Sequence, residues 1–441
     1  MEGARTPGTM SPGLRRVVER ARRNPRERQF ALAYLIDVDA LRRSYHRLRK
    51  DSAVGVDGVT KQEYGQNLEE NLQDLYVRLK TMKYRHQPIR RVHIPKDKAR
   101  KRPIGVPTTE DKIVQGALRE ILEAIYEQDF LGCSYGFRPG RRAHDALKVL
   151  SQVVRRAEAN VILEGDIVSF FDSVDRPMLK EMLQERIADK SLIRLIGKCL
   201  HVGVLDGEEF SRPEEGTVQG SVLSPILGNI YLHTVLDKWF EWEVKPRLRG
   251  KATLIRFADD FVICFESRQD AERVKAVLGR RFGRYRLILQ PDKTRLVEFR
   301  RPPWSRTSGK GPGTFDFLGF TVYWRRNHRG RGWHVSWKTR KARLRRAIKV
   351  AYELCRRQRH SSIPEQHLAL TRRIQGHFNY FGVNDNQRSL SILLYHVRRA
   401  WHKWLNRRSQ RSRLNWQRFE DLTRDFPFPS PRVYMNLWAP P

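Results

Sequence analysis

Apolar residues first recur at helical spacing in a strongly basic setting. Leu32, Tyr34, Leu35, Leu41 and Tyr45 stand among arginines over residues 30–50, which predicts an amphipathic basic helix. Turn residues in DSAVGVDGVT at 51–60 end it, and Leu68, Leu72, Leu75 and Leu79 then mark a second helix with one buried face. From Tyr84 to Pro107 the pattern changes. Short β-type runs flank the basic turn KDKARK in RRVHIPKDKARKRPIGVP, predicting a hairpin whose tip carries lysine and arginine. A helix follows over Asp111–Glu127, and after the turn imposed by Gly and Pro in CSYGFRPGRRAHDAL another begins near Ala143.

The middle of the chain alternates strands and helices. A short apolar strand over Val161–Ile167, a helix over Val222–Trp239, two strands around a tight turn over Thr253–Phe265 and a helix over Ala271–Phe282 predict an α+β core. From Lys338 onward basic helices take over. They are carried by Leu344, Ile348 and Ala351, by Ile374, Phe378 and Phe381, and by Leu393, Val397, Ala400 and Trp404. These predict a separate all-α subdomain, joined in or slightly after the Gly/Pro/Ser-rich stretch RRPPWSRTSGKGPG, and no internal repeat stands out. At 441 residues the chain exceeds what one core holds, about 250–300, and two to four packed subdomains are expected.

Charge narrows the function class. Lysine and arginine total 86 against 49 acids, a net charge of +37 spread along the whole chain. Such an excess repels itself in a compact state unless a polyanion neutralises it, so nucleic acid is the expected partner. A membrane partner is excluded at this stage: no apolar run approaches the ~18 residues of a spanning helix, and there is no lipidation signal. The N-terminal segment has no apolar stretch resembling a secretory core region, which argues for an intracellular protein. Cys133, Cys199, Cys264 and Cys355 lie too far apart to suggest a disulfide framework or a zinc site.

Candidate chemistry centres on acids. In IRFADDFVICF, Ile255, Phe257, Phe261, Ile263 and Phe265 occupy every other position across Asp259 and Asp260, which reads as a β-hairpin with its carboxylates at the turn. Asp166 ends the apolar run VILEGDIV, where a carboxylate without a partner is costly. Three acids can share one site, and phosphoryl transfer to a 3′-hydroxyl uses two divalent ions about 3.5–4 Å apart, for which hard oxygen ligands suit magnesium. Pattern alone leaves the bland alternatives open: an ordinary Asp-Asp turn, and an Asp166 that caps a turn and pairs with a surface arginine.

The remaining blocks break that tie. GVDGVT at 55–60, IPKDKARKRPIGVPT at 94–108, SYGFRPGRRAHDAL at 134–147, DIVSFFDSVD at 166–175, GTVQGSVLSPILGNIYL at 216–232, RFADDFVI at 256–263, LQPDKT at 289–294 and FLGF at 317–320 stand in the order found in group II intron-encoded reverse transcriptases and maturases. The chain resembles that family over roughly residues 38–400. The resemblance implies a right-hand polymerase: a basic N-terminal extension and the start of the fingers at 1–85, fingers and palm at 86–330, and a helical thumb and RNA-binding region at 331–441.

It also implies roles. Asp166, Asp259 and Asp260 are the expected catalytic acids, with Ile167 beside them in a site for two Mg²⁺ ions. Lys96, Arg102, Phe171, Gln219 and Lys293 are expected to hold the incoming deoxynucleoside triphosphate, Phe171 by colliding with a ribose 2′-hydroxyl. Gly220, Phe317, Leu318 and Gly319 are expected at the primer and template. Aromatics in IQGHFNYFG and the Trp401/Trp404 pair, interleaved with arginine, suit stacking on unpaired bases, while at helical spacing aromatics are more often core.

Two departures stand out. Phe257 replaces the tyrosine common before the paired acids, and no Cys/His cluster of a C-terminal HNH endonuclease follows the helices, so second-strand cleavage by this chain is not expected. The leading expectation is an RNA-directed DNA polymerase, cytoplasmic and bacterial by resemblance, that extends a DNA primer or target on an RNA template and binds a structured intron RNA. The alternatives are a domesticated relative serving host defence or DNA repair, and a catalytically silent splicing factor. Retention of all the acids and basic residues weighs against the last.

Overall fold

The computed structural model describes residues 10–439 apart from 96–100, 157, 208, 212–214, 218, 304–312, 327–331 and 410–413. Its strands are β1 (Ile89–Pro95), β2 (Lys101–Val106), β3 (Val161–Gly165), β4 (Val204–Asp206), β5 (Glu209–Ser211), β6 (Ala252–Phe257), β7 (Asp260–Phe265), β8 (Arg295–Glu298), β9 (Phe315–Phe317), β10 (Phe320–Arg326) and β11 (Trp333–Thr339). They form three sheets, ordered β2-β1-β4-β5, β6-β7-β3-β8 and β11-β10-β9. With the helices around them they make an α+β polymerase fold, as expected.

The sheet β6-β7-β3-β8 sits between two apolar layers. On β3, Val161 and Leu163 join a core shared with the N-terminal helices and the helix Thr109–Tyr126, while Ile162 joins a second core with the helix Ala143–Arg155 and the sheet β11-β10-β9. Successive residues of a strand face opposite sides, so a strand buried on both faces reads as an unbroken apolar run, as VIL does here. A third core is built by the helices Lys341–Arg357, Ile363–Phe381, Gln387–Leu405 and Trp416–Asp425.

Several boundaries differ from expectation. The first basic helix of the 30–50 region starts only at Val38, because the Asp37 side chain caps it through the Ala40 amide at 2.7 Å, while Asp189 takes the amides of Leu32 and Ala33 into a separate turn. The expected helix over Val222–Trp239 begins at Ser224 and continues past Leu232 in wide π turns over His233–Val244. The strand β11 lies on the helical side of the boundary expected at 331, and the helices begin at Lys341. The hairpin β1-β2 is present, Arg90 pairing with Val106 and Pro95 with Lys101; its tip, with Lys96, lies outside the described residues. No helix among the described residues is long and apolar enough to cross a membrane.

Candidate active site

β6 and β7 meet in a two-residue turn: Phe257 faces Asp260 as the last pair, leaving Ala258 and Asp259 at the tip. Ala258 has φ +56°, a left-handed conformation that residues with a Cβ seldom adopt. Two contacts hold it. Arg256, fully buried, donates from Nη1 to the Ala258 carbonyl at 2.9 Å and clasps Asp237 through Nε at 2.7 Å and Nη2 at 2.5 Å. On the other side Gly136 packs so closely that a Cβ would stand 2.2 Å from the Ala258 amide nitrogen. The same guanidinium also donates to Asn229 Oδ1 and Ser134 Oγ, so no donor is wasted in the core. Sequence reading passed over Arg256 and Asp237. The one available signal was a charged residue inside a strand whose neighbours are all apolar.

β3 runs antiparallel to β7 with Gly165 opposite Phe261, which brings Asp166, the next residue, alongside that turn. A Cβ on Gly165 would lie 2.1 Å from the Phe261 ring, so only glycine lets the two strands approach there. The Asp166 carbonyl accepts from the Gln290 amide at 2.8 Å, tying the strand end to the loop that carries Lys293. Lys293 Nζ in turn donates to Asp166 Oδ2 at 2.5 Å.

Asp166, Ile167, Asp259 and Asp260 line one cleft of about 810 Å³, together with Arg102, Phe171, Gln219, Lys293, Phe317, Leu318 and Gly319. Asp260 is exposed to the cleft but walled by protein elsewhere. That desolvation, followed by the charges of Asp259 and Asp166, raises its carboxyl to about 6. Of the further acids lining the cleft, Glu164 is paired with Arg295 at 2.5 Å and Asp316 with Arg340 at 3.0 Å, burial raises the Asp172 carboxyl, and Asp292 adjoins Lys293. The three expected acids therefore concentrate negative charge that repels itself, with a lysine ammonium resting on one of them.

That donor set fits a hard divalent cation. Among the described residues no three or more acids, histidines or cysteines are arranged to hold a metal ion by themselves. Magnesium is ordinarily bound by one or two carboxylates, with water and substrate phosphates completing its shell, and three carboxylates at an open cleft match that habit.

The cationic side of the cleft is Arg102 on β2 with Arg340 and Arg343 from the start of the helical region. Arg343, which sequence reading did not single out, lowers the Asp260 carboxyl against the acids that raise it. Arg346, one turn along the same helix, donates to the Pro95 carbonyl at 3.2 Å and so touches the end of β1.

Phe171 lies on a short 3₁₀ turn, Phe170–Ser173, with its carbonyl accepting from the Thr217 amide at 2.6 Å and its ring 5.2 Å from that of Phe170. Gln219 is fixed by the Gly105 amide, which donates to its carbonyl at 2.6 Å. Gly220 does not line the cleft. Its φ of +108° and a Cβ position 2.5 Å from the Gly105 carbonyl make it the hinge that lays this turn against β2. FLGF forms the β9-β10 turn, with Leu318 at φ +49° and Gly319 at +83°. Tyr380 OH donates to the Leu318 carbonyl at 2.9 Å and the Arg340 amide to the Gly319 carbonyl at 2.9 Å, so the helical region clamps that turn.

The aromatics of the helical region serve mainly as core, the commoner meaning of their helical spacing. Trp401 is fully buried with its Nε1 donating to Gln366 Oε1 at 3.0 Å, Phe378 is core, and Tyr380 and Phe381 pack on Phe320. Trp404 packs edge-on to Tyr352. Helical spacing of aromatics here records helix packing.

The family model described as "Reverse transcriptase (RNA-dependent DNA polymerase)" matches residues 94–322. Among curated proteins, the chain is 33% identical to "Protein YkfC" of Escherichia coli, the match covering 55% of this chain and 71% of that one. It is 38% identical to "Group II intron-encoded protein LtrA" of Lactococcus lactis over 47% of this chain and 34% of the relative, and 30% identical to "Nuclear intron maturase 2, mitochondrial" of Arabidopsis thaliana over 32% and 24%. The chain thus spans about a third or less of these two relatives.

Proposed function

The chain belongs to the reverse transcriptase family, in its group II intron-like branch, and from that premise we propose that it extends a DNA 3′-end with deoxynucleotides on an RNA template. The observation that supports this reading is the meeting of Asp166, Asp259 and Asp260 in one cleft that Arg102 and Arg343 also line.

In this reading the three carboxylates hold two Mg²⁺ ions, with the Ile167 backbone adjoining them. When bound, such ions activate the attacking hydroxyl and neutralise the departing pyrophosphate. The chain's own groups do the rest. Arg102 offers a bidentate fork to the triphosphate, and Lys293 supplies a point charge that turns from Asp166 to phosphate as the substrate enters. Lys96 is proposed to add a second point charge from the fingertip. Phe171 closes the wall beside the sugar and leaves no room for a 2′-hydroxyl. Gln219 borders the nucleotide, and Phe317, Leu318 and Gly319 seat the primer end, while Gly220 serves through the turn it shapes. In right-hand terms the β1-β2 hairpin belongs to the fingers, the sheet β6-β7-β3-β8 to the palm, and the helices from Lys341 to the thumb.

Primer extension tests the reading. Purified protein with a DNA primer, an RNA template, Mg²⁺ and deoxynucleotides should extend, and Asp259→Ala should abolish extension. Inactivity of the unaltered protein across templates and metals would sink it.

A second role rests on the basic helices and on the intron-encoded proteins among the relatives. We infer that the same protein binds the structured RNA of a host intron and assists its splicing, mainly through phosphate contacts. Affinity should then fall steeply with salt; a flat dependence would count against it.

A further inference from the structure

A second cavity, of about 530 Å³, lies away from the cleft at the far end of the β10-β11 hairpin. β10 links the two places: Phe320 follows the cleft turn, and Arg325 lies five residues along, roughly 16 Å at the rise of an extended strand. The walls combine three indoles, Trp324, Trp333 and Trp438, with Arg155, Arg301 and Arg325.

The site is built rather than incidental. Leu437, next to Trp438, is fully buried, and its amide donates to Asn384 Oδ1 at 2.7 Å, which fixes the segment that presents the indole. Arg155 sits over the Trp438 ring at 5.5 Å, yet the residue as a whole stays 43% exposed. Trp324 donates its Nε1 to the Phe299 carbonyl at 2.8 Å, whereas Trp333, at 8% exposed, has an Nε1 with no acceptor among the described residues. The cavity's one acid, Asp385, is neutralised by Arg325 at 2.7 Å and accepts from Ser336 at 2.9 Å. Arg155 and Arg301 have no carboxylate within ion-pair distance among the described residues, and Arg301 reaches only the Trp333 carbonyl at 3.3 Å.

We infer that this cavity captures one unpaired nucleotide of a single-stranded RNA segment, its base stacked on Trp438 and its phosphate held by Arg155 and Arg301. Exposed aromatic area beside uncompensated guanidinium groups matches how unpaired bases are bound: the ring serves any base, and the charge tracks the backbone. An apolar peptide would leave both guanidinium groups without partners. The inference rests on the RNA-binding reading above and adds a contact outside the cleft.

The test uses the full-length protein with its cleft saturated by unlabelled primer–template. Binding of a short fluorescein-labelled oligoadenylate is followed by anisotropy for Trp438→Ala, Trp438→Phe, Arg301→Glu and the unaltered chain, with primer extension measured in parallel. Trp438→Ala and Arg301→Glu should each weaken binding about tenfold, Trp438→Phe should restore most of it, and extension should stay unchanged. Equal affinity for all four proteins would overturn the inference. So would free adenosine monophosphate competing as well as the oligomer, because the occupant would then be a lone nucleotide. Loss of binding in the variants of a chain that extends no primer would uphold this site while failing the polymerase reading.

Discussion

Lys293 donates to Asp166 across the mouth of the cleft at 2.5 Å, placing a side-chain cation on a carboxylate expected to hold a metal. The pair is partly exposed, so water screens it and it adds little to stability. Its consequence is competition: a divalent ion approaching Asp166 must displace the ammonium. Lys293→Met should therefore lower the Mg²⁺ concentration giving half-maximal extension severalfold. It should also reduce kcat/KM for deoxynucleotides by on the order of tenfold, through loss of a phosphate contact. Extension measured against Mg²⁺ and against nucleotide concentration separates the two effects. An unchanged Mg²⁺ requirement would mean that the ammonium is irrelevant to the metal.

Arg256 and Asp237 form a fully buried pair bonded to the β6-β7 turn that carries Asp259. Arg256→Met strands a carboxylate in the core and should cost about 3–5 kcal/mol of stability, whereas the double change Arg256→Met with Asp237→Leu should recover most of that loss. Extension should remain at least about tenfold low in the double variant, because the Ala258 carbonyl has lost its donor and the strained turn relaxes. Urea unfolding with primer extension checks both halves. Full activity in a stable double variant would show that the turn holds itself.

Apolar residues at every other position, Ile255, Phe257, Phe261, Ile263 and Phe265, made β6, β7 and the acid turn between them legible. Asp166 was legible as a charge ending an apolar run. Arg256 was not, because its partners Asp237, Asn229 and Ser134 lie on other elements and local pattern carries no trace of them. Arg343 reaches the cleft from a helix that reads as uniformly basic, so nothing marks it apart from Arg345 or Arg346. For the aromatics of the helical region the spacing favoured core without excluding an exposed ring, and burial settles it for Trp401.

His86, three residues before β1, joins Asp111 and Cys199: its Nδ1 is 2.6 Å from Asp111 Oδ1 and its Nε2 is 3.1 Å from the Cys199 sulfur. Burial opposes charge on the ring, but the sulfur and the carboxylate outweigh it and lift the imidazole from 6.5 to about 10. A raised folded-state value means that the native protein keeps a proton the unfolded chain loses. The stabilisation is thus complete below about pH 6.5 and disappears as pH rises to about 10. Urea midpoints should show the unaltered protein losing, between those limits, on the order of a few kcal/mol relative to His86→Gln, whose own titration removes the effects common to both. Parallel pH profiles for the two proteins would mean that the ring is neutral when folded.

Phe171 owes its place in the cleft wall to backbone contacts. The 3₁₀ turn after Ser169 aims it, the Thr217 amide holds its carbonyl, and Gly228 leaves space behind it, where a Cβ would come within 3.3 Å of the ring. These contacts set where the residue stands in the cleft wall, and a steric sugar filter needs a defined position. Phe171→Ala should raise ribonucleotide incorporation relative to deoxynucleotide by on the order of tenfold to a hundredfold, leaving kcat/KM for deoxynucleotides within a few-fold. Phe171→Tyr, which keeps the bulk, should leave selectivity unchanged. Single-nucleotide extension kinetics with matched ribo- and deoxynucleotides measure both ratios. If Phe171→Ala discriminates as well as the unaltered protein, the 2′-hydroxyl is rejected elsewhere in the cleft and Phe171 serves only to pack beside Phe170.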